Sequence, residues 1–132
     1  MSFRDPRVSA WEKKLESIFD DIDHDMEDRY GDKYPLHPSR PERGATSNPS
    51  ADGLFDLGAA FSAGFGSQHG RGYTVSIRLS TLARVPPDIM EKIEQEVVEL
   101  LHERLPGAFP GRDLRVERDG HSFKIIGDLS LG

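Results

Sequence analysis

Phe55-Asp56-Leu57-Gly58-Ala59-Ala60-Phe61-Ser62-Ala63-Gly64-Phe65, then Gly66-Ser67-Gln68-His69-Gly70-Arg71-Gly72, then Tyr73-Thr74-Val75-Ser76-Ile77-Arg78-Leu79: this stretch decides the fold. Apolar side chains stand at 55, 57, 59, 61, 63 and 65 and again at 73, 75, 77 and 79. Period-two spacing belongs to a strand with one buried face. Two such runs joined by a glycine-rich stretch make a hairpin, here with strands over 54–65 and 73–82.

A second hairpin is centred on Asp119-Gly120, with strands over 114–118 and 121–126. An Asp-Gly pair between alternating runs favours a two-residue turn. That turn sets Arg118 opposite His121, Val116 opposite Phe123 and Leu114 opposite Ile125, with both apolar pairs on one face. Between the hairpins, Val85-Pro86-Pro87-Asp88 opens a helix, because proline suits the first turn and an acid there suits the dipole. Ile89, Ile93, Val97, Leu100, Leu101 and Leu105 form its apolar face over 87–105, and Pro106-Gly107 is read as its stop. Residues 54–132 therefore read as a ββαββ core: a mainly antiparallel four-stranded sheet with one helix packed on one face. The class is α+β.

Residues 1–31 read as an N-terminal amphipathic helix. Trp11, Leu15, Ile18, Phe19, Ile22, Met26 and Tyr30 recur at three- and four-residue spacing over 8–30. Ser9 and Glu12 fit a capping box, with Asp5-Pro6 as a competing start, and Gly31 suits a left-handed end. Residues 32–53 hold Pro35, Pro38, Pro41 and Pro49 and few apolar side chains. They read as an extended Pro-rich linker.

The 132 residues carry a formal charge of -6, with a pI near 5.3. Non-specific binding to a polyanion needs Lys and Arg contacts, so nucleic acid and anionic membranes are not the expected partners. The sheet face opposite the helix would carry Thr74, Ser76, Arg78, Ser80, Arg115, Glu117, Ser122 and Lys124, with no aromatic to stack on a base. There is no cysteine, which excludes disulfides, thiolate catalysis and Cys-type zinc sites. The segment from Met1 to Pro6 has no apolar run of a secretory leader. No stretch reaches the roughly 20 apolar residues of a membrane span. A cytoplasmic location is the default expectation.

No nucleophile–base pair stands out, and the serines lack a Gly-x-Ser-x-Gly setting. Asp20, His24 and Asp28 share a helix face at i, i+4 and i+8, a spacing that could hold a divalent cation. Asp21-x-Asp23-x-Asp25 begins like an EF-hand loop, but Met26 stands where that loop needs glycine. A solvated acidic face explains both patterns, and no metal or cofactor is expected.

Two functional readings compete. The first is a non-enzymatic protein-interaction or self-association module. A lone helix is marginal in water and must bury its stripe, so Trp11, Leu15, Phe19 and Ile22 would meet a second copy in a homodimer, or another protein. The second is a small-molecule or anion-binding domain, with or without catalysis, built on Gly66, His69, Gly70, Arg71 and Gly72. Chain direction brings Arg112 to the same end of the sheet. Glycine amides can form an anion nest, although the nearby helix C-terminus disfavours an anion, and a wide hairpin loop needing positive φ angles is the plainer account of the glycines. A lesser third reading is motif display, because Pro35-x-x-Pro38-x-Arg40 has the spacing that polyproline-binding grooves accept.

Overall fold

The computed structural model describes residues 5–65, 67 and 69–130. Helix α1 spans Pro6–Tyr30. A 3-10 turn follows at Pro49–Ala51, then strands β1 (Phe55–Ser62) and β2 (Gly72–Leu79), helix α2 (Pro87–Ala108), and strands β3 (Leu114–Asp119) and β4 (Ser122–Gly127). The strands form one antiparallel sheet in the order β1-β2-β4-β3. The fold is α+β, as its alternation implied.

Helix α1 starts at the competing signal rather than at Ser9. Asp5 accepts a bond from the Arg7 amide at 2.9 Å, and Pro6 supplies a preset φ at the first position. At the other end Gly31 keeps a right-handed φ of -54°, so the chain leaves the helix through a further turn instead of a left-handed reversal. Helix α2 runs through Pro106 to Ala108. Pro106 removes one i→i−4 donor, the one that would reach the His102 carbonyl, yet the Phe109 amide still reaches the Leu105 carbonyl at 2.9 Å.

Both helices lie on the same sheet face. Trp11 of α1 meets Tyr73 of β2 at 6.4 Å and Phe109, just past α2, at 4.0 Å between ring centroids. The α1 stripe, the apolar face of α2, Phe55 and Leu57 of β1, Tyr73 and Val75 of β2, Val116 of β3 and Phe123 and Ile125 of β4 form one buried cluster. Each fully buried large apolar side chain contributes about 1.5–3 kcal/mol. The stripe of α1 is therefore part of the core of this chain.

The strands are shorter than their apolar alternation. β1 ends at Ser62 and β2 at Leu79; Phe65 is 96 % exposed and Leu82 74 %. The second hairpin is shifted by two residues from its expected register. Asp119 pairs with Ser122, Val116 with Ile125 and Leu114 with Gly127. The turn residues are then Gly120 and His121, and only Gly120 takes a positive φ, +65°. That is the sign pattern of a II′ turn, which needs glycine first, whereas a turn on Asp119-Gly120 would force Asp119 into the left-handed region. The shift of two keeps the same side chains facing the core.

Residues 32–53 are tied to the body by specific bonds. The His37 amide reaches the Ser80 carbonyl at 2.8 Å and the Gly53 amide the Pro41 carbonyl at 3.0 Å. Arg40 turns inward and donates to four carbonyls, those of Ser50, Asp52, Gly53 and Phe55. Its guanidinium is thus engaged by backbone, so the Pro35-x-x-Pro38-x-Arg40 pattern is not presented as a motif.

Candidate functional site

An open sheet has two edges, and each exposes a row of main-chain donors and acceptors unless something covers it. On β3 the outward groups belong to Leu114, Val116 and Arg118. The Val116 amide donates to His102 Nε2 at 3.2 Å, and the Arg118 carbonyl accepts from His69 Nε2 at 2.9 Å. Two imidazoles therefore meet one outward group each on Val116 and Arg118.

On β1 the register pairs Phe55 with Leu79 and Ala59 with Val75. Ser80 donates to the Leu54 carbonyl, so even-numbered residues bond to β2, and Phe55, Leu57, Ala59 and Phe61 point their N–H and C=O groups outward. Phe55 is capped on both groups: its amide donates to Glu27 Oε1 at 2.7 Å and its carbonyl accepts from Arg40 at 3.0 Å. Glu27 reaches this amide because residue 53 is a glycine at φ +69°; a Cβ there would lie 2.4 Å from Glu27 Oε1. Beyond Phe55 the capping stops. Among the described residues no group bonds the outward amides or carbonyls of Leu57, Ala59 and Phe61.

Helix α1 runs antiparallel to β1, with Glu27 beside Phe55 and Trp11 near Tyr73 and Phe61. The open part of the edge faces a groove of about 310 Å³. One wall is Glu12, Glu16 and Asp20 of α1, and the other is Leu57, Gly58 and Ala59. Leu15, Phe19 and Tyr73 line it as well, and Asn48 and Ser50, at the 3-10 turn, border it. Glu12 and Tyr73, which it shares, lead to a second hollow of about 320 Å³ bounded by Val8, Trp11, Phe61, Arg71 and Leu129. Phe61 is 57 % exposed there, and the indole N–H of Trp11 has no hydrogen-bond partner among the described residues.

The groove wall is acidic. The Tyr73 hydroxyl donates to Glu12 at 3.3 Å. Glu16 and Asp20 form no salt bridge among the described residues. Burial raises the pKa of Asp20, and the neighbouring charges of Glu16 and Asp21 raise it further against the opposing pull of His24. Glu16 and Asp20 thus hold negative charge that no described residue pairs in a salt bridge.

Below the groove lies a buried acidic group. Asp23, Glu27 and Asp52 are all nearly inaccessible. Burial, followed by the charges of Glu27, Asp52 and Asp20, pushes Asp23 up to about 8, with Arg40 pulling the other way. Asp23 Oδ2 has no hydrogen-bond partner among the described residues. Asp52 stays low: burial raises it, but the Thr46 hydroxyl and amide, the Gly44 amide and Arg40 together outweigh that. This cluster holds the 40–55 segment that caps the start of β1.

The residues singled out from sequence fall in different places. Trp11, Leu15, Phe19 and Ile22 are buried, at 7, 4, 4 and 0 % exposure. They cannot offer their stripe to a partner while the chain is folded; Trp11, Leu15 and Phe19 instead line the two hollows from below. Of the glycine-loop residues, Gly66 lies outside the described residues. His69 is engaged by Arg118, and the Gly70 carbonyl accepts from Lys124 Nζ at 2.8 Å. Ser67 reaches Asp119 at 2.8 Å, so the loop crosses the helix-free face toward the β3–β4 turn and covers Lys124, which is 2 % exposed. Gly72 is buried in β2, and Arg71 lines the apolar hollow beside Trp11. Arg112 sits over the Trp11 ring at 5.3 Å and pairs with Asp128 at 3.5 Å. Arg71 and Arg112 thus both lie beside Trp11, whereas His69 and Gly70 are engaged at Arg118 and Lys124. On the acidic face of α1, Asp28 pairs with Arg43 at 2.9 Å while Asp20 faces the groove, so Asp20, His24 and Asp28 do not act as one set.

Residues 6–127 match a protein family described as "Uncharacterised protein". A relative named "Uncharacterized protein" from Borreliella burgdorferi (strain ATCC 35210 / DSM 4680 / CIP 102532 / B31) is 37 % identical over 121 residues, covering 92 % of this chain and 94 % of the relative. The chain belongs to that family. No solved structure matches it. Among the described residues no helix is long and apolar enough to cross a membrane.

Proposed function

We propose that this member of the family is a non-enzymatic protein-interaction module that captures an extended segment of another chain along β1. The observation that carries this reading is the uneven treatment of the edges. Phe55 has both outward groups met by side chains and Val116 and Arg118 one each, while Leu57, Ala59 and Phe61, three outward residues in a row, have none among the described residues, as Leu114 has none on the other edge. An uncovered edge is a template for a further strand, and main-chain hydrogen bonds give such docking its affinity. Gly58 and Ala60 add no bulk to β1 there. The α1 stripe acts by supplying the groove floor, not by leaving the core.

The test is a random-peptide display library panned against the full chain, with amide exchange of the chain followed by NMR. Selected peptides are expected to slow exchange at Leu57, Ala59 and Phe61 and to lose at least tenfold in affinity for Ala59→Pro. Proline is tolerated on an edge strand whose N–H points outward, and circular dichroism checks that the variant folds. Selected peptides that protect other amides, or that bind Ala59→Pro equally well, overturn the reading.

A further inference from the structure

We infer that the segment taken by this edge is a basic strand of another protein, with Lys or Arg at alternate positions and one large apolar side chain at the Phe61 end. This rests on the edge-capture reading and specifies its partner.

Two repeats run side by side along the groove. Glu12, Glu16 and Asp20 recur every four helical residues, which is about 6 Å at a 1.5 Å rise. A strand added to β1 presents side chains to one face every two residues, about 6.8 Å. Over three positions the two periods stay nearly in step. Each inward side chain of the added strand therefore meets one carboxylate, and cations there would give Glu16 and Asp20 the salt-bridge partner that no described residue supplies. Outward residues Leu57 to Phe61 span about 13–14 Å at strand rise, against about 12 Å for the three carboxylates.

Beyond Glu12 the groove changes character. Val8, Trp11, Phe61 and Leu129 make the second hollow mainly apolar, and at about 320 Å³ it has room for a large side chain. In strand addition, pockets for alternate side chains set specificity.

A second copy is the poorer occupant. A two-fold pairing of β1 with itself would centre on Ala59, and each copy would present its Glu12, Glu16 and Asp20 toward the same three residues of the other. Like charges so placed oppose association.

The full chain is titrated with four capped peptides. The first alternates threonine with three lysines and ends in phenylalanine. The second has glutamate for lysine. The third is the first with its β1-facing amides N-methylated, and the fourth has serine for phenylalanine. Trp11 is the single tryptophan, so its emission reports the apolar hollow, and amide exchange at Leu57, Ala59 and Phe61 reports the edge.

The lysine peptide is expected to bind at least tenfold more tightly than the glutamate peptide at low salt, the gap closing as salt screens it. Glu16→Lys with Asp20→Lys should reverse the order, and only the phenylalanine peptides should shift Trp11 emission. If both charge types protect the edge amides equally, the basic-partner inference fails while edge capture stands. If the N-methylated peptide binds as well as its parent, edge capture itself fails. A concentration-dependent dimer protecting the same amides without peptide replaces the partner with a second copy and overturns the inference.

Discussion

Asp23 sets the pH response at the scale of single residues. Its folded pKa, about 8, lies far above the ordinary 3.8. Below about pH 4 both folded and unfolded chains hold the proton, and Asp23 costs nothing. As pH rises toward 8 the unfolded chain gives up the proton and the folded one keeps it, so stability falls, by about 1.4 kcal/mol for each unit by which the two pKa values differ. Above about 8 the loss is complete. Asn in place of Asp23 should therefore raise the melting temperature at pH 8 by several degrees and leave it nearly unchanged at pH 4. An equal loss at both pH values would show that the carboxyl is needed for its shape, not disfavoured for its charge. Asp52 works in the opposite direction, since its lowered pKa adds stability that disappears on acidification. Arg40→Lys should cost about 2–4 kcal/mol in urea unfolding, because an ammonium cannot span the carbonyls of Ser50, Asp52, Gly53 and Phe55. Little of this was legible in the chain. Asp23 stands among five other acids and reads as solvated, yet it lies four residues after Phe19 and four before Glu27, on the border of the apolar stripe. Nothing local to Arg40 signals that it turns inward.

Helix α1 shows how far periodicity carries at the scale of elements. The spacing of Trp11 to Tyr30 marks a face that must be buried, but it does not say against what. The structure lays that face on the sheet beside α2, because the opposite face carries Thr74, Ser76, Arg78 and the loop that covers Lys124. Truncating the stripe should then act on stability. Phe19→Ala is expected to lower unfolding free energy by about 3–5 kcal/mol, and Ile22→Ala by about 2–5 kcal/mol, with no change in the solution mass of the folded protein. A variant that kept full stability yet changed mass would return the stripe to an intermolecular role. The strands were legible by their alternation, less so by their ends. Ala63 and Phe65 keep the period of two after the pairing has stopped, since a loop leaving a sheet can preserve the apolar rhythm by composition alone. The β3–β4 register was two residues out for a related reason. Alternation constrains parity, and the turn type, decided by which residue accepts a positive φ, sets the rest.

Strand order makes the site at the scale of the whole molecule, and no pattern within a single strand reveals it. The hairpins predict β1 beside β2 and β3 beside β4, but not that β4 would join β2 and leave β1 and β3 outermost. Once they are outermost, their outward groups need cover. His102 and His69 meet β3, Glu27 and Arg40 meet the start of β1, and the capping residues come from four separate parts of the chain. The same arrangement explains why an acidic row would be kept beside an uncovered edge. A strand with small residues at Gly58, Ala59 and Ala60 and, past Phe55, no cap among the described residues is prone to pair with its own copy, and like charge along the approach is one way to prevent that. Antiparallel pairing about Ala59 would set Leu57 opposite Phe61 of the copy and satisfy six main-chain groups on each side, so backbone geometry permits the dimer and the charges of Glu16 and Asp20 oppose it. The unaltered chain should sediment as a monomer at neutral pH and low salt. Glu16→Gln with Asp20→Asn should give a dimer at the same concentration, and adding Ala59→Pro should return it to a monomer. Should the neutral double variant stay monomeric at concentrations of hundreds of micromolar, the acidic row has no part in keeping copies apart, and its counterpart must be sought only in the strand it receives.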